Sequence, residues 1–83
     1  MNGATIKVMY FAQVADLTRV REEAWPLHEP ISGADWLAAL GERYPQLAPL
    51  SRLKLAINQQ HAPHGSMIQP GDEVAVFEPV TGG

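Results

Sequence analysis

The C-terminal segment PVTGG, residues 79–83, carries the group in this sequence best suited to chemistry. Pro79 fixes its own φ and directs the chain away from the apolar run before it, and glycines have no Cβ to block a narrow channel. Five extended residues reach at most about 17 Å. The tail can therefore be threaded into a deep pocket on another protein, with the α-carboxylate of Gly83 as the reactive group. The alternative is a frayed end or a truncation scar.

The histidines are weaker candidates for a functional site. His61 and His64 form an H-x-x-H pair whose spacing can place two imidazoles on one metal. A catalytic zinc site usually needs a third protein ligand, and none is suggested nearby. We interpret both as solvated loop histidines and His28 as an exposed turn residue, so the sequence predicts no metal site.

The acidic residues and serines do not form an enzyme motif either. Glu22-Glu23 and Asp72-Glu73 are adjacent pairs, and neighbours along a strand point to opposite faces. They are interpreted as solubilising charge rather than as a two-carboxylate site. No glycine-rich phosphate loop follows a strand, and no nucleophile motif surrounds a serine.

Size and composition limit what else the chain can be. Its 83 residues predict one domain, 1–83, with a flexible C-terminal tail at 79–83. It has no cysteine, and its net charge of −3 with six scattered basic residues argues against binding to nucleic acid. No apolar run approaches the length of a membrane-spanning helix, and no targeting segment is apparent. A soluble, cytoplasmic protein is expected.

Two strands are predicted in the first third of the chain. Residues 4–12 (ATIKVMYFA) alternate in a way that indicates a strand apolar on nearly both faces, as in the interior of a sheet. Residues 13–19 are mixed and predict a loop or short turn. Residues 20–27 contain Pro26, which cannot donate to a ladder, so they predict an edge strand paired with the first.

One amphipathic helix of about three turns is predicted next. Ser32 is a good N-cap, and Asp35 follows near the positive end of the helix dipole. Pro45 stops the helix. Its apolar face is formed by Trp36, Leu37, Leu40 and Tyr44.

The remaining segments complete one sheet. Residues 52–58 predict a half-buried strand, residues 59–72 a loop with one very short strand, and residues 73–80 a last strand. The first and last strands are the most apolar, so we expect them to lie together and parallel in the middle of the sheet. The order β, β, α, β, short β, β predicts an α+β fold, the β-grasp or ubiquitin-like roll, with a mixed sheet and one main helix on one face.

Two aromatic residues fall out of phase with the predicted core. If Ile6, Val8 and Tyr10 meet the helix, Phe11 points to the opposite face, and Phe77 does so on the last strand. No second helix is predicted to cover that face. An uncovered aromatic patch is typical of a protein interface.

Four segments carry a resemblance to a known family. They are FAQV at 11–14, placed on the first strand, AINQ at 56–59, GDEVAVF at 71–77 and PVTGG at 79–83. With them the sequence closely resembles, along its whole length, the small subunit of molybdopterin synthase, the MoaD sulfur carrier. Glu78 departs from the family, which often has a second proline there, and this predicts a less rigid approach to the tail.

The resemblance implies a chemistry for the tail. In that family a ubiquitin-activating-like enzyme, MoeB, adenylates the terminal glycine with ATP, and a sulfur donor then replaces AMP to leave a thiocarboxylate. Gly83 would carry the sulfur and Gly82 would allow the tail to be threaded. The large subunit, MoaE, would receive the tail and pass the sulfur to cyclic pyranopterin monophosphate. The small subunit is not catalytic alone and binds no cofactor, since ATP is used by the activating enzyme.

The resemblance also implies an assembly. The synthase is a heterotetramer of two small and two large subunits, and the same surface would bind MoaE and MoeB in turn. The implied partner-binding residues are Phe11, Phe77, Pro79, Val80 and Thr81. Other roles stay open: a ThiS-like sulfur carrier for thiazole synthesis, a ubiquitin-like protein modifier, or a binding module whose tail is irrelevant.

Overall fold

The computed structural model describes residues 4–79. Seven strands and two α-helices lie in this range, together with two 3-10 turns at Pro45–Leu47 and Leu50–Arg52. In chain order they are β1 (Thr5–Tyr10), α1 (Ala12–Thr18), β2 (Glu22–Pro26), β3 (Ile31–Ser32), α2 (Gly33–Arg43), β4 (Lys54–Ile57), β5 (Gln60–Ala62), β6 (Met67–Ile68) and β7 (Glu73–Phe77). None of the helices within residues 4–79 is long and apolar enough to cross a membrane.

The main sheet has five strands in the order β2-β1-β7-β4-β5. β1 and β7 are parallel neighbours, whereas β2 pairs antiparallel with β1 and β4 pairs antiparallel with β7. β3 and β6 form a separate two-stranded sheet. The predicted parallel pairing of the first and last strands is confirmed, and so is the edge position of the strand that contains Pro26. This is the β-grasp arrangement.

The core lies between one face of this sheet and the helices. Alternation along β1 buries Ile6 and Val8, and the same alternation along β7 buries Val74 and Val76. The predicted amphipathic helix is confirmed as α2, where the N–H of Asp35 donates to Ser32 Oγ at 3.1 Å. Its buried face contributes Trp36, Leu37 and Leu40 to the core.

The prediction of a loop at residues 13–19 is wrong, because helix α1 occupies most of that segment. Val14 and Thr18 lie one turn apart on its buried side. The helix has no side-chain N-cap, and no acidic residue stands in its first turn. It forms because Val14 can be buried in the core, so packing rather than local propensity decides the conformation. The FAQV segment is therefore a strand-to-helix junction and not part of β1.

The prediction of one short strand between residues 59 and 72 is incomplete, because both β5 and β6 lie there. β4 and β5 form a hairpin closed by the pair Ile57 and Gln60. The two turn residues, Asn58 and Gln59, both have positive φ, of 52° and 70°. A two-residue loop with both φ values positive is the type I′ turn that matches the twist of antiparallel strands.

Candidate functional site

The sheet has a second face, opposite the core, that no helix within residues 4–79 covers. Lys7 and Met9 alternate with the buried residues of β1, and the strand register places Ala75 beside Met9 and Ala56 beside Ala75. Small side chains therefore make the centre flat. We call this the outer face, and it comprises Glu22, Lys7, Met9, Glu73, Ala75, Phe77, Lys54, Ala56 and His61.

Phe11 stands at one end of the outer face, directly after β1. Its side chain is 47% exposed, whereas its N–H donates to the carbonyl of Val76 at 3.2 Å. Its carbonyl accepts from the N–H of Val14 at 3.0 Å, so its backbone is held from both sides. Ala12 follows with a φ of 51°, a left-handed conformation that is costly for a residue with a Cβ. The junction thus presents an exposed aromatic side chain on a restrained backbone.

Phe77 is the last residue of β7 and is half-buried rather than fully exposed. Its ring meets the ring of His61 edge to face, with centroids 5.4 Å apart and planes at 80°. His61 is exposed, as interpreted from the sequence, but it lies on β5 and not in a loop, so that part of the interpretation is wrong. Antiparallel pairing of β5 with β4, and of β4 with β7, brings the two rings together.

The base of the tail lies beside this pair of rings. Lys54 is paired with Phe77 across β4 and β7, and the chain continues through Glu78 to an exposed Pro79. Arg52 Nη2 is 3.0 Å from Glu78 Oε2. No hydrogen bond to this oxygen is formed within residues 4–79, so the contact is a close ion pair. A recess of about 530 Å³ opens here, lined in part by Lys54, His61, Phe77, Glu78 and Pro79.

The other face holds a polar cluster around Glu23. The hydroxyls of Tyr10 and Tyr44 both donate to Glu23 Oε2, and Arg43 Nη2 donates to Oε1 at 3.2 Å. The Glu23 side chain is only 15% exposed. The interpretation of Glu23 as solubilising charge is wrong, because alternation along β2 turns it towards the helices. Its neighbour Glu22 does face solvent, 3.9 Å from Lys7 Nζ.

The cluster changes the acidity of one of its tyrosines. Burial, reinforced by the hydrogen bond to the Glu23 carboxylate, raises the pKa of the Tyr10 phenol well above its ordinary value. The Tyr10 ring also meets the Tyr44 ring edge to face, with centroids 6.0 Å apart. The end of β1 is thereby fixed to the end of α2, one residue before Phe11.

His64 has a structural position as well. Its Nε2 lies 2.7 Å from the carbonyl of Leu53, and its own carbonyl accepts from the N–H of Ala34 at 2.7 Å. It lies in a turn between β5 and β6, as a loop histidine should, but it is half-buried, so the interpretation that it is solvated is wrong. His28 is exposed at a bend, as predicted. Within residues 4–79 no group of three or more His, Cys, Asp or Glu side chains is placed to hold a metal ion.

Comparison with known proteins identifies the family. The model of the ThiS family matches residues 8–83. The human molybdopterin synthase sulfur carrier subunit is 33% identical over 82 residues, covering 94% of this chain and 93% of that protein. The Escherichia coli subunit of the same name is 36% identical over 80 residues, covering 94% and 99%. The chain belongs to the ThiS family, together with the molybdopterin synthase sulfur carrier subunits.

Solved structures agree with the fold. The crystal structure of small archaeal modifier protein 1 from Haloferax volcanii superposes with a TM-score of 0.79 at 25% identity, covering 94% of this chain and all of that one. The family resemblance drawn from FAQV and the C-terminal segment is confirmed. So is the β-grasp fold.

The structure brings some of the predicted site residues together. Phe77 and Pro79 lie at one recess, and Phe11 lies at the end of the neighbouring strand β1. Val80, Thr81, Gly82 and Gly83 fall outside the described residues, so their predicted roles stay predictions.

Sequence reasoning missed two ion pairs, Arg52 with Glu78 and Arg43 with Glu23. Alternation along β2 was the available signal for Glu23. Nothing in the sequence pairs Arg52 with Glu78, because the two are joined only through the register of β4 and β7.

Proposed function

We propose that this chain carries sulfur for molybdopterin synthesis as a thiocarboxylate on Gly83. Relatives named as molybdopterin synthase sulfur carrier subunits, aligned over almost the whole chain, support the carrier role. In this proposal an adenylating enzyme of the MoeB type activates the tail, and a large subunit of the MoaE type receives it. The active synthase is a heterotetramer of two small and two large subunits.

The observation that carries the proposal is the continuity between the outer face and the tail. Phe77 links the two, because it is the last residue of β7 on the outer face and lies two residues before Pro79, where the tail begins. A partner that docks on the outer face is therefore positioned beside the point where the tail begins. Phe11 supplies an exposed aromatic anchor at the end of the adjacent strand. Aromatic anchors dominate the binding energy of many interfaces.

The chemistry requires help from outside the chain. A terminal carboxylate has a pKa of about 3.3 and is ionised at neutral pH, which makes it a poor acyl electrophile. In our proposal the Gly83 carboxylate attacks the α-phosphorus of ATP, and pyrophosphate leaves. A sulfide-equivalent donor then attacks the acyl carbon, and AMP leaves with the bonding electrons. ATP is bound by the activating enzyme, and no cofactor is held by this chain.

Intact-mass spectrometry tests this chemistry directly. The full chain is incubated with ATP, a sulfur donor and a MoeB-type enzyme, and we expect the mass to change by one oxygen-to-sulfur exchange. Deleting Gly83, or adding one residue after it, should abolish the exchange while the unfolding midpoint stays the same, because within residues 4–79 the buried core cluster ends at Val76. An unchanged mass for the unmodified chain would refute the carrier proposal.

Substitution at Phe11 tests the docking role of the outer face. Phe11→Asp should weaken binding to a MoaE-type subunit about tenfold or more, since anchor truncations cost roughly 2 kcal/mol. Met67→Asp is the matched control, because Met67 is 50% exposed but lies on β6, outside the main sheet. Calorimetric titration measures both. Equal affinities for the two variants would place the docking surface elsewhere.

A protein-modifier role is the second candidate, supported by the likeness to small archaeal modifier protein 1. A modifier would form isopeptide bonds from Gly83 to lysines of other proteins, giving conjugates of higher mass in cells. A stable complex with a large synthase subunit, without such conjugates, favours the carrier of molybdopterin synthesis. Co-purification with a thiazole-forming enzyme would instead favour a ThiS-like carrier.

A further inference from the structure

The junction between β7 and the tail contains an ion pair whose position points to a task beyond stability. Glu78 is the single residue between the end of β7 and Pro79. Its partner Arg52 ends the 3-10 turn before β4, the strand that pairs with β7. The contact therefore ties the first residue after β7 to the turn that leads into the neighbouring strand, β4.

The two charges are in different surroundings. The Arg52 side chain is 42% exposed, whereas the Glu78 side chain is 21% exposed and its Oε2 atom is sealed from solvent. That oxygen has no hydrogen-bond partner within residues 4–79, so the guanidinium at 3.0 Å is its compensating charge. A buried carboxylate without a partner is strongly disfavoured. If Arg52 lost its charge, Glu78 would therefore turn towards water.

The backbone makes that rotation consequential. The residue before a proline is restricted to extended conformations, and proline fixes its own φ near −65°. The contact with Arg52 would restrain the backbone of Glu78 further, because a side chain tied to a neighbouring segment cannot follow a large change in its own φ. Five residues from Pro79 onward reach about 17 Å, so a deflection of about 20° at the base would displace the end by roughly 6 Å.

We propose that Arg52 and Glu78 act as positioning residues that set the direction in which the tail leaves the sheet, so that Gly83 meets the partner's active site pre-aligned. This inference rests on the proposed function. The outer face supplies the docking contacts, and the ion pair limits the orientations that the docked tail must search. A preorganised segment loses less conformational freedom on binding.

Steady-state adenylation by a MoeB-type enzyme, followed as pyrophosphate release, tests the proposal. Arg52→Gln and Glu78→Gln should each lower kcat about three- to fivefold, while KM for the carrier stays unchanged. A change of that size corresponds to the energy of an ion pair that is partly screened by solvent. The double reversal Arg52→Glu with Glu78→Arg should recover most of the loss, although each reversal alone should not. High salt should lower kcat of the unmodified chain towards that of the Gln variants.

Matched controls remove the same charges elsewhere. Glu42→Gln and Arg19→Gln change exposed residues of α2 and of the end of α1, away from the tail. Both should keep the kcat of the unmodified chain. The unfolding midpoint of every variant is measured in parallel, because a structural role would lower the midpoint and kcat together.

Three outcomes would overturn the inference: an unchanged kcat in both Gln variants, a rise in KM alone, or a double reversal no better than its single reversals. Failure of the proposed function is a different result, because the unmodified chain would then release no pyrophosphate at all. If a single reversal does not fold, the two Gln variants and the double reversal still decide the question.

Discussion

Replacing Glu23 by alanine should destabilise the fold far more than the same change at Glu22. The Tyr10 hydroxyl, on a residue only 2% exposed, would lose its acceptor, and a buried donor left unpaired costs about 1–3 kcal/mol. Tyr44 is half-buried and would lose a 2.8 Å hydrogen bond, worth about 1 kcal/mol. Arg43 is mostly exposed, so the loss of its ion pair with Glu23 contributes little to the destabilisation. The expected loss in the free energy of unfolding is about 2–4 kcal/mol.

Glu22→Ala is the matched control, on the adjacent residue of the same strand. Its pair with Lys7 is long, at 3.9 Å, and both side chains are more than half exposed, so it contributes about 0–0.5 kcal/mol. Glu23→Gln keeps one acceptor oxygen and should fall between the two. Urea denaturation at pH 7 measures all three variants. Losses equal within about 0.5 kcal/mol for Glu22→Ala and Glu23→Ala would refute the assignment of Glu23 as a structural acceptor.

Three further predictions concern backbone strain and acidity. Ala12→Gly should raise the free energy of unfolding by about 0.5–1 kcal/mol, measured in urea, because Ala12 has a φ of 51°. Gln59→Gly should also stabilise the fold, because Gln59 has a φ of 70°. Gln60→Gly should destabilise it, because Gln60 lies in β5. A higher free energy of unfolding for both variants would contradict the turn assignment. The pKa of Tyr10 is higher in the folded state than in the unfolded state. The contribution of Tyr10 to the free energy of unfolding is therefore complete below about pH 10, the ordinary pKa of tyrosine, and is lost as the pH rises further. Tyr10→Phe should therefore flatten the fall in stability above about pH 10 in alkaline titrations, and an unchanged slope would contradict this.

The sequence predicted the sheet better than the helices. Near-continuous apolar runs in the first and last strands indicated central, parallel neighbours, and the structure has β1 beside β7. Helix α1 escaped prediction because it has neither a capping side chain nor an acidic first turn. Its formation depends on a place for Val14 in the core, which only the assembled fold provides. Tertiary packing thus overrides a weak local pattern.

In the candidate site, too, features set by local sequence could be predicted, whereas features set by tertiary packing could not. The face on which Phe11 lies could be predicted because its backbone stays extended for one residue past the end of β1, so the alternation of that strand continues to it. The contact between His61 and Phe77 could not, because it needs the register of two strand pairs, β5 with β4 and β4 with β7. The ion pair between Arg52 and Glu78 depends on the same register. Contacts across paired strands follow from the fold rather than from local sequence.

The position of β7 in the sheet bears on the proposed role of the tail. β7 is the middle strand of the five and is hydrogen-bonded on both sides, to β1 and to β4, so it is less free to fray than an edge strand. An edge strand such as β2 or β5 has one partner only. Pro79 follows this central strand after one residue, and that residue, Glu78, is in an ion pair with Arg52. β7 also contributes Ala75 and Phe77 to the outer face, so under the proposed function a partner docked there would contact the strand from which the tail begins.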